Sequence, residues 1–139
     1  MDCTVSWAGG AKFSATTGSG HTMFMEGSAE AGGTNSAPRP MEMLLVGTGG
    51  CTAFDVVLIL KRGRHDVTGC DCKLHAERAE TDPKVFTRIH FHFTVRGRNL
   101  KREVVERAVK LSHDKYCSAS IMLAKTAELT HEVEIVEEA

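Results

Sequence analysis

No run of like charge interrupts the sequence. Its 17 basic and 18 acidic residues leave a formal charge of −1, and none of them gathers into an arm or block. Counterion release on a phosphate backbone needs a concentrated basic face, so the sequence points to no nucleic-acid partner. A basic stretch followed by an apolar one would mark a secretory signal. The chain instead opens Met1, Asp2, Cys3. The five cysteines are odd in number and irregular in spacing, unlike the even set of a secreted disulfide scaffold. These absences predict a reducing cytoplasm, where a disulfide would be transient and chemical.

Two further absences narrow the chemistry. No G-x-S-x-G nucleophile elbow is present, so His113, four residues before Cys117, carries little weight as part of a hydrolase pair. No C-x₂₋₄-C pair is present either. Cys70 with Cys72 and His90 with His92 are C-x-C and H-x-H doublets on strands, whose ordinary meaning is the alternation of a strand's two faces. No metal and no cofactor is expected. Met43 to Leu60 is long and apolar with a single charge, Asp55. That charge would cost roughly 2.5–3.5 kcal/mol near a bilayer centre, and Gly47, Gly49 and Gly50 interrupt the run. A helix buried in a soluble core is expected, not a membrane span.

What is present fits one α+β domain over residues 1–139. Residues 2–7, 11–17 and 21–26 read as strands, with Gly9-Gly10 as the first turn. Residues 27–39 are rich in Gly, Ser, Ala and Asn and read as a loop. Pro40 opens a long helix to about Arg64, since proline is favoured at the first helical position. Glu42 in its first turn and Lys61, Arg62 and Arg64 at its end suit the helix dipole. Val56 to Leu60 is apolar all round, which predicts cover on both sides. Residues 68–79 and 85–96 read as strands, the second alternating well. Asn99 is placed to cap a helix from Leu100 to about Asp114. A short helix over 118–125 and a strand over 128–136 complete the order. Strands and helices are partly segregated, which argues α+β over a doubly wound sheet.

Among the cysteines, Cys51 and Cys117 stand apart. Cys51 follows Gly49-Gly50 inside the long helix, where each glycine costs roughly 0.5–1 kcal/mol relative to alanine. Such a pair implies close approach by a helix, a substrate or a second subunit. Cys117 falls at a break between helices, with His113 and Lys115 nearby, which are features of a lowered-pKa thiol. Two thiols on core-facing helices can meet, although spacing alone does not bring them together. A thiolate can then attack a peroxide and be trapped as a disulfide by the second thiol. Taken singly, Cys51 reads equally well as a small core side chain, and Cys117 reads more readily as an ordinary cysteine in a helix linker.

At these residues the sequence resembles the OsmC/Ohr family of thiol peroxidases. The matching stretches are Ala37-Pro38-Arg39-Pro40-Met41-Glu42-Met43-Leu44-Leu45, then Gly49-Gly50-Cys51, and later Lys115-Tyr116-Cys117-Ser118. The Pro-Met-Glu-Met and Gly-Gly-Cys details are most similar to its YhfA-like branch. The resemblance implies antiparallel sheets packed around a long central helix in an intertwined homodimer, with active sites at the interface. It implies Cys51 as the peroxidatic and Cys117 as the resolving cysteine, an organic hydroperoxide as substrate and a lipoyl-type dithiol as reductant. The family places a glutamate directly after the proline, where this chain has Met41, with Glu42 one residue later. The family also supplies an activating arginine from its N-terminal region, whereas the first arginine here is Arg39. Arg39, Lys12 and His21 are the candidate substitutes.

Helix geometry sets Glu42 apart from Cys51. Nine residues at about 100° each place it roughly opposite on an ideal helix. Asp55, four residues after Cys51, shares its face. A carboxylate there raises the thiol pKa unless a cation intervenes, so Asp55 is expected to pair with Arg, Lys or His or to enter a polar interface. The alternative to a peroxidase is a non-catalytic OsmC-like protein that binds a small apolar ligand, or senses redox state, at the dimer cleft.

Overall fold

A computed structural model describes residues 1–139. The chain forms two compact units, Met1–Val46 and Gly47–Ala139.

The first unit holds an antiparallel meander of β1 (Cys3–Trp7), β2 (Lys12–Thr17) and β3 (Thr22–Glu26). Gly9 and Gly10, at φ 95° and 56°, turn the chain between β1 and β2, in the left-handed region that glycine enters without steric cost. After β3 the small-residue segment folds back around one carboxylate. Glu26, only 4% exposed, accepts the Thr34 N–H at 2.9 Å, the Thr34 hydroxyl at 3.0 Å and the Ser36 N–H at 3.1 Å. These donors, the Ser36 amide foremost, hold its pKa below the ordinary carboxylate value. The loop expected over residues 27–39 is thus an ordered wrap, with a 3-10 turn at Ala29–Ala31.

Helix α1 (Pro40–Arg62) begins in the first unit and continues into the second. The Arg39 carbonyl accepts the Met43 N–H at 3.1 Å, and the Glu42 carboxylate reaches back to the Arg39 N–H at 2.9 Å. That is the reciprocal half of a capping box. In the second unit the buried residues of α1 are Thr48, Gly49, Thr52, Val56 and Leu60, one stripe at helical spacing. The all-round cover expected for Val56 to Leu60 is only partly present: Val57, Leu58 and Ile59 are half-buried, and Phe54 is 66% exposed. The helix is long and apolar enough to cross a membrane, with mean hydropathy 2.0, although 28% of that window is buried within the chain.

The second unit's sheet runs β4 (Asp66–Arg78), β5 (Phe86–Arg98) and β6 (Glu128–Glu137) in that order. β4 and β5 pair antiparallel, but β6 lies parallel to β5, with Arg88 opposite Glu128 and Gly97 opposite Glu137. The sheet is therefore mixed rather than antiparallel. The cause is the crossover between β5 and β6, which is long enough to return the chain to its starting edge. That crossover contains α2 (Arg102–Leu111), a π-helical turn at Ser112–Tyr116 and α3 (Ser118–Leu123).

β5 supplies the centre of the core. Ile89, Phe91, Phe93 and Val95 alternate onto one face and are fully buried, as are Val105, Ala108 and Val109 of α2. Asn99 does not cap α2. It takes φ 55° and donates its N–H to the Glu137 carboxylate at 3.0 Å. Lys101 occupies the cap position with no side-chain cap. An asparagine that tolerates the left-handed region serves the turn out of β5 better than it would serve a helix two residues further on.

Candidate functional site

The site is built from one face of α1 and the irregular turn after α2. Cys51 and Asp55 are four residues apart on α1 and share a face. Cys117 follows the π-helical turn, in which its N–H donates to the Ser112 carbonyl at 2.7 Å. This i→i+5 closure turns Ser112 and Cys117 to the same side, where an α-helical turn would spread residues five apart by about 140°. As a result Cys51 Sγ, Cys117 Sγ and an Asp55 carboxylate oxygen lie within 4.8 Å of one another. Both cysteines are free thiols; Cys51 is half-buried and Cys117 buried.

A hydroxyl relay fixes the carboxylate. Ser112 Oγ donates to Asp55 Oδ2 at 2.9 Å and lies 2.8 Å from Thr52 Oγ1. Serine has one hydroxyl hydrogen and gives it to Asp55, so Thr52 is the donor in the second bond. Ser112 and Thr52 are both fully buried. The cation expected beside Asp55 is thus replaced by a neutral donor, because the π-helical turn brings a serine to that place. Nothing in the sequence pattern marked Ser112 or Thr52; the Cys51–Cys117 pair and the Cys51-to-Asp55 spacing were the legible parts of this constellation.

Cys117 differs from expectation in its acidity. It caps α3, and its Sγ accepts the Ser120 N–H at 3.3 Å, an interaction that favours the thiolate. Burial outweighs it, and the neighbouring Cys51 adds to the upward push, so the Cys117 pKa is raised, not lowered. The two flanking residues expected to help do not. The Lys115 ammonium lies 5.3 Å over the Tyr116 ring. His113 is held edge-on to Phe91, with ring centroids 4.6 Å apart, and stacks on His131 at 5.6 Å. Its two ring nitrogens are buried without hydrogen-bond partners, and burial pushes its pKa down to about 4. It is neutral at pH 7 and brings no positive charge to the thiol.

The other cysteines separate clearly. Cys70 and Cys72 face inward on β4, and burial pushes them up to about 11 and about 12. Cys3 is exposed on β1. His90 and His92 occupy the opposite face of the sheet from Cys72, which shares the register position of Phe93. They bond Thr130, Glu132 and Glu134 of β6. The two doublets therefore do not converge. In the first unit, Arg39 pairs with Glu42 at 3.8 Å, both half exposed. Lys12 lies over the Phe24 ring at 5.9 Å, and His21 bonds Ser19 at 3.0 Å.

Comparison with known proteins gives this architecture a family. The model of the family described as OsmC-like protein matches residues 33–132. Protein YhfA of Escherichia coli strain K12 is 47% identical over 136 residues, 98% of each chain. A structural-genomics structure superposes with a TM-score of 0.91 at 46% identity, covering 99% of this chain and all of that one. An organic hydroperoxide resistance protein from Legionella pneumophila shares the fold at 16% identity and a TM-score of 0.71, over 96% of this chain and 97% of its own. With its two small sheets, its long helix and a family match over most of its length, the chain belongs to the OsmC-like family.

Proposed function

We propose that this protein reduces organic hydroperoxides through Cys51 and Cys117. The observation that carries the reading is the meeting of two free thiols, from α1 and from the start of α3, within 4.8 Å. Family membership supports it, since structural neighbours include proteins named for organic hydroperoxide resistance.

The chemistry runs in three steps. Cys51 is the more accessible thiol of the pair, so its thiolate attacks the terminal peroxide oxygen. The O–O bond breaks, Cys51 becomes a sulfenic acid, and the alkoxide leaves and is protonated to the alcohol. Cys117 then condenses with the sulfenic acid, forming the Cys51–Cys117 disulfide and releasing water. A small dithiol of the lipoyl type returns both thiols by exchange and is itself oxidised to a disulfide. Asp55, oriented by Ser112, is the carboxylate at hand to take the Cys51 proton and return it to the alkoxide. Arg39 and Glu42 then serve chiefly as the start of α1, which they cap together.

The reading includes a homodimer in the cytoplasm. Phe54 on the second unit's part of α1 and Val46 on the first unit's part are 66% and 68% exposed, and a second copy is the occupant that would cover such apolar side chains. Sedimentation should give about twice the 15.1 kDa chain mass. The raised pKa of Cys117 favours a second reading, in which the pair senses redox state or flanks a site for a small apolar ligand without turnover.

One experiment separates a peroxide-reactive pair from an inert one. The reduced protein receives one equivalent of an organic hydroperoxide, is quenched, and is mapped without reduction by mass spectrometry. A rapid Cys51–Cys117 disulfide, replaced in Cys117→Ser by a sulfenic acid at Cys51, supports the peroxidatic couple, and repeated turnover with a dithiol present distinguishes a peroxidase from a sensor. Thiols that stay free through the exposure would overturn it in favour of ligand binding.

A further inference from the structure

We propose that Cys51, Asp55 and Cys117 form a Zn²⁺ site. Each residue contributes one ligand: two thiolate sulfurs and one carboxylate oxygen. This goes beyond the peroxidase reading and does not depend on it, because a protein inert to peroxides could still bind the metal.

Three observations converge on the site. The first is spacing. Cys51 and Asp55 are i and i+4 on α1, the separation at which one helix face presents two ligands to the same ion, as in H-E-x-x-H metal helices. The second is distance. Zinc bonds of about 2.3 Å to sulfur and 2.0–2.2 Å to oxygen put tetrahedral ligand atoms roughly 3.5–3.8 Å apart. The three candidate atoms already lie within 4.8 Å of one another, so sub-ångström side-chain shifts complete the set. The third is the outer support. Ser112 holds Asp55 Oδ2 at 2.9 Å and is itself held by Thr52 at 2.8 Å. Metal-binding carboxylates are characteristically hydrogen-bonded in this way.

Charge points the same way. Two thiolates and a carboxylate would gather three negative charges. The partner that Asp55 has within the chain is a neutral hydroxyl, not a cation. A divalent ion would offset two of these three charges once binding has displaced both thiol protons. Sulfur ligands select a borderline-soft metal, which among common divalent ions means zinc over magnesium or calcium. Three protein ligands leave a fourth position open for water, as in zinc sites that are not purely structural.

The test uses the reduced, metal-stripped protein with Co²⁺ as a spectroscopic stand-in for zinc. Titration should produce a near-ultraviolet thiolate-to-cobalt charge-transfer band that saturates at one ion per chain and is bleached by Zn²⁺. Cys51→Ser and Cys117→Ser should each remove most of the band, whereas Cys3→Ser and Cys70→Ser should leave it intact. Ser112→Ala should weaken Zn²⁺ binding by roughly 10–100-fold. X-ray absorption at the zinc edge of the wild-type protein gives an answer even if a variant fails to fold. Two sulfur and two oxygen neighbours are expected. Absence of the band, its survival in both cysteine variants, or a zinc shell of oxygen and nitrogen alone would overturn the site.

Discussion

Removing the Ser112 hydroxyl should destabilise the protein more than removing its Thr52 partner, and the two losses should not add. In Ser112→Ala, Asp55 loses its donor and the Thr52 hydroxyl loses its acceptor. All of this happens where Ser112 and Thr52 are 0% exposed. Leaving buried polar groups unsatisfied costs about 1–3 kcal/mol, toward the upper end when a charged group is involved. Thr52→Val keeps the shape of the side chain and spares the Ser112-to-Asp55 bond of 2.9 Å, so about 1 kcal/mol is expected. The double variant retains one of the orphans of Ser112→Ala but not the Thr52 hydroxyl. Its loss should therefore fall short of the sum by about 1 kcal/mol, within the usual range for residues in one network. Urea unfolding of the four proteins, with m-values checked for constancy, measures the coupling. Additivity to within about 0.3–0.5 kcal/mol, or Thr52→Val costing more than Ser112→Ala, would refute the relay and its direction.

Three other outcomes are expected. His113 has a folded pKa of about 4 against an ordinary value near 6.5, so the unfolded chain binds the extra proton. Stability should rise as pH climbs from about 4 to about 6.5, and His113→Phe should flatten that rise in a pH series of denaturant melts. Glu26 has a depressed pKa, so its contribution is present above the ordinary carboxylate pKa and fades as pH falls through the folded value. Fluorescence of Trp7, the only tryptophan, should report acid loss of the first unit, with Glu26→Gln already weakened at neutral pH. Brief alkylation at neutral pH should label Cys3 and Cys51 ahead of Cys70 and Cys72, whose pKa values are pushed to about 11 and 12, and ahead of buried Cys117; peptide mapping would expose any other order.

The elements that local pattern controls were legible. Pro40 and Glu42 mark the start of α1, and Ile89, Phe91, Phe93 and Val95 mark β5 by alternation, because each signal is carried by neighbours in sequence. The direction of β6 was not, since its alternation is the same whether it runs with or against β5. Only the length and path of the crossover decide it. Asn99 misled for a related reason: an asparagine favours both caps and left-handed turns, and the nearby Glu137 carboxylate, distant in sequence, selected the turn. At the site, Cys51, Asp55 and Cys117 were singled out from spacing and motif. The acidity of Cys117 was misjudged because burial is a tertiary quantity that outweighs the local helix start. Ser112 was invisible because a π-helical turn has no sequence signature comparable to a helix cap.

The parallel placement of β6 also bears on how the molecule comes into being. β4 and β5 can zip together as a local hairpin. Every β5–β6 pair, from Arg88 with Glu128 to Gly97 with Glu137, joins residues 40 apart, so its loop must close before any contact offsets the entropy lost. Cys117 lies inside that loop. The hairpin therefore has a fast local route, whereas the thiol pair waits on a slow, long-range closure. Hydrogen exchange in β6, compared with the alkylation rate of Cys117, tests whether the same order runs backwards in the native state.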